Sequence, residues 1–350
     1  MCCGFERQTS PRAISNKWDE VFRLMQFEPL TESAFATLAV SAHRNDPLDA
    51  LLNAIDDVRQ AMSTANGLLV VRGLDAIAQN PSVLVRLSHG FGNEVEDYRE
   101  TITEPGRVHP QVPQILVVSN RAPSLKLPPA RPQPARNVDG SLPVQFPQRR
   151  GWHSDQSYRR PPPDISLFYA LAPVPPDQGQ TLYADGVRAY EALSIEWKRR
   201  LEGLYGIHTR SGTGRTEPSV LAGEPVAPLS IHEQPQQQPV VRVHPETGQR
   251  ALYLCEAGQM DWVDGPFVGM EPGPHGEGAR WLYALMAHYT EPRFVYVHEW
   301  QRGDLVIYDN RCTVHAATWF DAQKHSRVMW RTTVAGRPGD EYSAEAPSWK

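Results

Sequence analysis

The chain has 350 residues with a formal net charge of −5, and 40% of its residues are hydrophobic, enough to form a large core. A chain without a basic excess has no broad electrostatic attraction for nucleic acid. No run of about 18 apolar residues is present, so no segment reaches the length of a membrane-spanning helix.

Cysteine usage and the N-terminal residues point to an intracellular protein. Four cysteines, Cys2, Cys3, Cys255 and Cys312, show no spacing typical of a zinc site. The first residues lack the apolar segment of a secretory signal. We therefore expect a cytoplasmic protein that has neither a membrane nor a nucleic-acid partner.

The predicted elements begin with helices and two buried strands. Apolar residues at helical spacing predict a helix over 48–62, and Asn80-Pro81 is typical of the start of a second helix. Short apolar runs predict strands at 68–71 and 115–118. Half of the 32 prolines lie between residues 101 and 180, which excludes long helices there because proline lacks the N–H donor.

Short strands dominate the rest of the chain. They are predicted around 152–157, 165–171, 180–184, 239–244, 250–254, 293–298, 304–308 and 327–335. Helices at about 186–203 and 276–290 interrupt them, and residues 234–239 are predicted as a turn or loop. This pattern predicts a mainly β fold with flanking helices (α+β), built as a sandwich or barrel.

His153 and Asp155 form the first candidate site. On a strand, residues two apart point to the same face, so the imidazole and the carboxylate would project together. They would supply two of the three ligands of the 2-His-1-carboxylate arrangement that binds non-haem Fe(II). An ordinary surface pair is the alternative, so the pair needs a third ligand.

A distant histidine and a basic strand add the second signal. His315 follows a predicted strand and the polar turn Asp309-Asn310-Arg311. Alternation over 327–334 puts Arg327 and Arg331 on one face, about 13 Å apart by the strand rise. Two inward cations require anionic partners, and guanidinium matches carboxylate well. A solvated surface strand is the alternative.

Together these residues resemble the Fe(II)/2-oxoglutarate-dependent dioxygenases of the TauD/TfdA type, the taurine and 2,4-dichlorophenoxyacetate dioxygenases. The family pattern is His-x-Asp, then Thr or Ser, then a distal His and an Arg. Here His153-Ser154-Asp155 is followed by Thr181, His315 and Arg327 at intervals within the family's windows. The resemblance extends from about Leu68 to Gly336.

The resemblance implies a double-stranded β-helix, or jelly roll, with helices outside. It implies that the catalytic centre is Fe(II) held by three ligands: His153, Asp155 and His315. Thr181 and Arg327 would bind the cosubstrate 2-oxoglutarate, and O2 would be the second cosubstrate. Arg331 matches the family arginine that contacts an anionic group of the substrate.

Departures from the family pattern affect the substrate side. Gln178-Gly179-Gln180 replaces the usual turn before the threonine, and the Pro/Arg-rich residues 122–150 are longer than in short relatives. We interpret that segment as an insertion or lid. Tyr98, Asn120 and Arg149 are candidate substrate-binding residues, and structural hydrogen bonding is the alternative for the first two.

The implied function is hydroxylation of a small or medium anionic organic molecule, a carboxylate or sulfonate. It is coupled to oxidative decarboxylation of 2-oxoglutarate to succinate and CO2. One alternative keeps this cofactor chemistry but ends in desaturation or cyclisation in a biosynthetic pathway. An alternative of another class is a non-catalytic metal-binding or sensor barrel. The resemblance also allows a homo-oligomer, either a dimer or a tetramer.

The domain organisation is expected to be simple. We predict an N-terminal extension over 1–28, a single jelly-roll dioxygenase domain over 29–340 and a C-terminal tail over 341–350. The insertion or lid at 122–150 lies inside the domain.

Overall fold

β-Strands are the main element of this computed structural model, which describes residues 24–32, 35–41, 46–131, 151–256 and 258–337. The strands are β1 (Met25–Pro29), β2 (Thr37–Ser41), β3 (Leu68–Val71), β4 (Leu116–Ser119), β5 (Ile165–Ala172), β6 (Thr181–Asp185), β7 (Tyr205–His208), β8 (Gln236–Pro239), β9 (Val241–Val243), β10 (Arg250–Leu252), β11 (Val295–His298), β12 (Leu305–Asp309), β13 (Thr313–Ala317) and β14 (Val328–Val334). The helices are α1 (Pro47–Asn53), α2 (Ile55–Thr64), α3 (Ala76–Gln79), α4 (Ser82–Ser88), α5 (Gly186–Glu191), α6 (Ile195–Leu201), α7 (Glu217–Leu221) and α8 (Glu277–Tyr289).

Two sheets organise these strands. The larger sheet has the order β1-β2-β3-β12-β5-β14-β4, and the smaller has the order β11-β6-β13. All pairs are antiparallel except β2 with β3. Strands β9 and β10 form one further antiparallel pair, and β7 and β8 form another. The rings of Tyr183 on β6 and Tyr308 on β12 meet between the two sheets, with centroids 5.3 Å apart.

The space between the sheets and the outer face of the larger sheet form separate apolar cores. On the outer face, Val58 of α2 and Leu84 of α4 belong to one buried cluster with Trp330 of β14. On the inner face, Met329 of β14 joins Tyr183 and other buried residues. Neighbouring residues of β14 therefore point to opposite faces, as the predicted alternation requires.

The predicted long helices are each divided in the structure. The helix predicted over 48–62 breaks at Ala54, so that α1 ends before it and α2 begins after it. The helix predicted over 186–203 breaks before Ser194, whose hydroxyl accepts from the backbone N–H of Trp197 at 3.2 Å and starts α6. Side-chain periodicity alone does not reveal such short interruptions.

Strand predictions around the site need three corrections. Residues 152–157 do not form a strand: His153 makes an isolated bridge to His315, and Asp155 begins a turn. Residues 236–239, predicted as part of a turn or loop, form β8 because they pair with β7. The strand β13, which carries His315, was not predicted.

The predicted domain boundaries are only partly described by the structure. Residues 25–28 of the predicted N-terminal extension belong to β1 and pair with β2 in the larger sheet. Residues 341–350, and residues 132–150 of the predicted lid, lie outside the described residues. The division of the chain and the lid therefore stay predictions.

A buried histidine on β7 predicts acid sensitivity. His208 is fully buried beside the Tyr253 ring, and neither ring nitrogen has a hydrogen-bond partner among the described residues. Burial, aided by Arg242, lowers the pKa of His208 to about 3. An unfolded histidine takes up a proton near pH 6.5, so the stability contributed by neutral His208 is lost as pH falls from about 6.5 toward 3.

We therefore expect His208→Phe to flatten the acid side of the stability curve. The slope of unfolding free energy against pH should fall by up to about 1.4 kcal/mol per pH unit. Urea unfolding at a series of pH values measures this slope, with His89→Phe at an exposed position as the control. An unchanged slope in His208→Phe would contradict the assignment.

Candidate metal centre

His153 and His315 are joined through their backbones. The N–H of each residue donates to the carbonyl of the other, at 2.9 and 2.8 Å, in an isolated antiparallel bridge. Directly paired residues place their side chains on one face, and the two rings lie 4.2 Å apart by centroid. The bridge therefore brings together two histidines that are far apart in the sequence.

Asp155 completes the group from the turn that follows His153. One carboxylate oxygen, Oδ2, accepts from Ser166 Oγ at 2.8 Å and from Tyr308 Oη at 2.6 Å. The other, Oδ1, lies 3.9 Å from Nε2 of His153 and 3.8 Å from Nε2 of His315. One donor atom from each of the three residues lies within 4.8 Å of the others, close enough to share a metal ion.

Protonation also suits metal binding. His153 Nδ1 lies 2.8 Å from the Gly151 carbonyl, to which the protonated Nδ1 donates, and this leaves the Nε2 lone pair directed at the centre. Burial lowers the pKa of His315 to about 3 and also lowers that of His153, so both rings are neutral at pH 7. Metal ligation requires neutral imidazoles.

The carboxylate of Asp155 is ionised despite its burial. Desolvation alone would raise its pKa, but the Arg331 guanidinium, aided by the hydrogen bond from Tyr308, outweighs desolvation and holds the pKa well below its usual range. Arg331 Nη1 donates to Asp155 Oδ1, the oxygen that faces both imidazoles. Two neutral imidazoles and one carboxylate are the donor set of non-haem Fe(II) sites, so these residues fit that metal.

A cavity of about 720 Å³ opens beside this group, and Arg327 and Thr181 line its wall. Arg327 is only 7% exposed, and its Nε and Nη2 atoms have no hydrogen-bond partner among the described residues. Burial lowers its pKa to about 10. Thr181 Oγ1 accepts from Trp300 Nε1 at 2.9 Å, which leaves its own hydroxyl proton available. A buried guanidinium without a counter-charge indicates an anion site.

The predicted substrate residues differ in their placement. Asn120 lines the cavity, but its amide is occupied: Oδ1 accepts from the Arg327 N–H at 2.8 Å, and Nδ2 donates to the His325 carbonyl at 2.9 Å. Asn120 thus positions Arg327. Tyr98 bonds to Thr333 Oγ1 at 2.8 Å and lines a smaller polar cavity of about 190 Å³. Arg149 lies outside the described residues.

Further polar residues of the cavity wall were not predicted, among them Arg107, Lys126 and Gln259. Lys126 lies in the proline-rich segment that was interpreted as an insertion. No local pattern singles out Arg107 or Gln259, because each reaches the cavity through tertiary folding from a separate loop.

A second group of metal-ligating types, His244, Asp309 and Cys312, lies outside this cavity. Arg311 donates to both oxygens of Asp309, at 2.8 and 2.6 Å, and His244 Nε2 lies 2.9 Å from Oδ2. The carboxylate is therefore already neutralised by the guanidinium. The Asp309-Asn310-Arg311 turn serves the fold in this way, since the Asn310 carbonyl and side chain also hold Ser154 and Asp155.

Comparisons with known proteins agree on one family. The model of the family described as "Taurine catabolism dioxygenase TauD, TfdA family" matches residues 26–333. The chain is 33% identical over 207 residues to an alpha-ketoglutarate-dependent 2,4-dichlorophenoxyacetate dioxygenase of Burkholderia sp. (strain RASC), covering 58% of this chain and 62% of that protein. The chain thus spans less than two thirds of the length of that relative. A pentalenolactone F synthase of Streptomyces arenae is 28% identical over 68% of this chain and 75% of its own length.

Solved structures show the same fold. AAD-2 in complex with Mn(II) and N-oxalylglycine superposes with a TM-score of 0.66 at 28% identity, covering 89% of this chain and 98% of that one. A putative alpha-ketoglutarate-dependent taurine dioxygenase from Burkholderia xenovorans gives 0.62 at 24% identity, covering 89% and 93%. The predicted mainly β jelly-roll fold with flanking helices is confirmed.

Proposed function

This chain belongs to the TauD, TfdA family, and from that premise we propose that it is an Fe(II)/2-oxoglutarate-dependent dioxygenase that hydroxylates a small or medium anionic substrate. The observation that carries the proposal is the juxtaposition of two features. The donor group His153, Asp155 and His315 lies beside a cavity lined by both histidines, and the same cavity holds the buried, unpaired guanidinium of Arg327. A metal-binding sensor has no need of the second feature.

Separate side chains would bind the metal and the cosubstrate. His153, Asp155 and His315 would hold Fe(II), which when bound supplies the O2-dependent oxidation coupled to conversion of 2-oxoglutarate to succinate and CO2. Arg327 would bind a carboxylate of 2-oxoglutarate, assisted by the Thr181 hydroxyl. Planar guanidinium binds carboxylate with two parallel hydrogen bonds, and burial strengthens the attraction because water does not compete.

Other residues keep the site in its reactive arrangement. Burial raises the pKa of Tyr308 well above its ordinary value, so its hydroxyl stays protonated and donates to Asp155. Ser166 donates to the same oxygen, so these two bonds fix the carboxylate and direct Oδ1 toward the imidazoles. Arg331 stands beside Asp155 at the cavity and would bind an anionic group of the substrate.

Succinate release provides the direct test. With Fe(II), 2-oxoglutarate, ascorbate and O2, we expect succinate formation that depends on one or more members of a panel of carboxylates and sulfonates. Comparison with the same mixture lacking Fe(II) controls for background. If no panel member supports turnover, and anaerobic Fe(II) with 2-oxoglutarate gives no absorption band, the sensor alternative replaces the dioxygenase.

The similarity to a pentalenolactone F synthase favours a second candidate, a desaturation or cyclisation outcome in biosynthesis. Product analysis decides between them, because hydroxylation adds one oxygen atom to the substrate whereas desaturation removes two hydrogen atoms. No helix among the described residues is long and apolar enough to cross a bilayer. Cytoplasmic location, oligomeric state and the absence of nucleic-acid and membrane partners stay predictions.

A further inference from the structure

The large cavity carries more positive charge than the proposed roles use. Among the described residues, its wall includes four cationic side chains, Arg107, Lys126, Arg327 and Arg331, and one carboxylate, Glu256. Arg327 and Arg331 have proposed partners. Arg107 and Lys126 have none, and no carboxylate of the described residues forms an ion pair with either.

Arg107 is half-buried where the two cavities meet. It ends the short 3-10 turn Pro105–Arg107, and it lines both the large cavity and the smaller polar one. Its Nε is buried without a hydrogen-bond partner among the described residues. Burial lowers its pKa and the nearby Arg331 adds to this, while the exposed Glu104 opposes it.

Lys126 extends the same positive surface from the opposite loop. Its backbone N–H donates to the Ser119 carbonyl at 2.7 Å, which fixes the loop against the end of β4. Lys126 is an exposed residue of the cavity wall. Partial desolvation lowers the pKa of its ammonium, and Arg107 and Arg331 lower it further by repulsion. Three cations therefore face a common space, and a bound anion would relieve their mutual repulsion.

The cofactors do not neutralise these charges. A ferrous ion carries two positive charges and 2-oxoglutarate carries two negative charges, so the pair is neutral as a whole. Asp155 and Glu256 offset two of the four cationic side chains of the cavity. Among the described residues, the two positive charges left over are those of half-buried Arg107 and exposed Lys126, and neighbouring cations on one cavity wall favour a bound anion.

We propose that the substrate is a dianion, with both negative charges at one end, bound by Arg107 and Lys126 together with Arg331. This inference rests on the proposed function and narrows its substrate class to geminal dicarboxylates, phosphonates and phosphate monoesters. The remainder of the substrate would be apolar, because Leu116, Val118 and Phe168 also line the cavity.

A matched pair of acids tests the number of charges. Benzylmalonate differs from 3-phenylpropionate only by a second carboxylate, and benzylphosphonate tests a tetrahedral dianion against phenylacetate. Affinities are measured by titration calorimetry in mildly alkaline buffer, in which the phosphonate is doubly ionised, with Mn(II) and N-oxalylglycine bound, so that no turnover is needed. We expect at least one dianion to bind about tenfold tighter than its monoanionic counterpart.

Variants assign the preference to the named residues. Arg107→Gln and Lys126→Gln should each reduce the dianion-to-monoanion affinity ratio several-fold, while Arg107→Lys, which keeps the charge, should retain part of it. Arg121→Gln, at an exposed arginine of the neighbouring loop, is the matched control and should leave the ratio unchanged. Thermal unfolding of each variant verifies that it is folded.

Two results would overturn the inference. In the first, the wild-type protein binds both dianions no more tightly than their monoanionic counterparts. In the second, the dianion-to-monoanion affinity ratio is unchanged in both Gln variants. Neither result depends on catalysis. If succinate forms with monoanions only and the dianion-to-monoanion affinity ratio is one, the dioxygenase proposal is supported and the dianion inference is rejected. A high ratio without turnover of any substrate would reject the dioxygenase alone.

Discussion

Asp155→Ala is expected to abolish 2-oxoglutarate turnover and metal binding, and also to destabilise the protein. The carboxylate is one of the three donors of the centre, and it is the charge partner of Arg331, whose side chain is 14% exposed. Removing one partner of a buried pair leaves the other charge uncompensated, which costs about 3–5 kcal/mol. Succinate assays, Co(II) or Fe(II) titration and urea unfolding measure the three effects.

The double variant Asp155→Ala with Arg331→Met separates the two roles. It should recover most of the lost stability, because no unpaired guanidinium remains, but it should recover neither metal binding nor turnover. Asp56→Ala, at a side chain that is 94% exposed, is the control and should match the wild type in all three measurements. Retained turnover in Asp155→Ala would remove the iron assignment, and His153→Ala tests the same donor set independently.

Arg327→Met is expected to raise the KM for 2-oxoglutarate by about 100-fold, with a smaller effect on kcat. Loss of a buried, charge-assisted contact to a carboxylate weakens binding by about 1.5–3 kcal/mol. The same change should not lower the stability of the cofactor-free protein, because the buried guanidinium has no counter-charge to lose. Loss of a structural residue would lower the stability of the cofactor-free protein, whereas loss of a residue that only binds ligand would not.

The control for Arg327→Met is Arg302→Met, which removes a mostly exposed arginine paired with Asp75 and should leave the KM unchanged. Protection against thermal unfolding by 2-oxoglutarate gives a second readout, and it should disappear in Arg327→Met. If Arg331→Met raises the KM for 2-oxoglutarate while Arg327→Met does not, the division of the two arginines is reversed.

Several features of the site could be predicted because they depend on local chemistry and on periodicity. The alternation of β14 places Arg331 on the same face as Met329 and opposite Trp330, as predicted. The spacing of His153 and Asp155 predicted a pair of metal-ligating side chains, and the structure brings the two side chains together. The physical basis differs from the prediction, because a bridge followed by a turn directs the two side chains together, not a strand.

Other features could not be predicted, because the contacts join residues more than 100 positions apart. Asn120 resembles a substrate-side residue in the sequence, yet its amide holds the backbone of Arg327. Arg331 of β14 pairs with Asp155, which lies in the turn after His153, so the charge partner of Arg331 is set by a distant part of the chain. The strand β13 was missed because Thr313–Ala317 is short and has no apolar run, and its pairing with β6 defines it as a strand.

The sequence by itself determined the fold class and the family and predicted which three side chains would bind a metal, since these follow from residue types, their order and their spacing. Only the tertiary structure decided how the charges are distributed around the cavity. Arg107 and Lys126 come from two separate loops and become neighbours when the chain folds, and whether a cation is paired or unpaired depends on those long-range contacts. That distribution of charge carries the inference of a dianionic substrate.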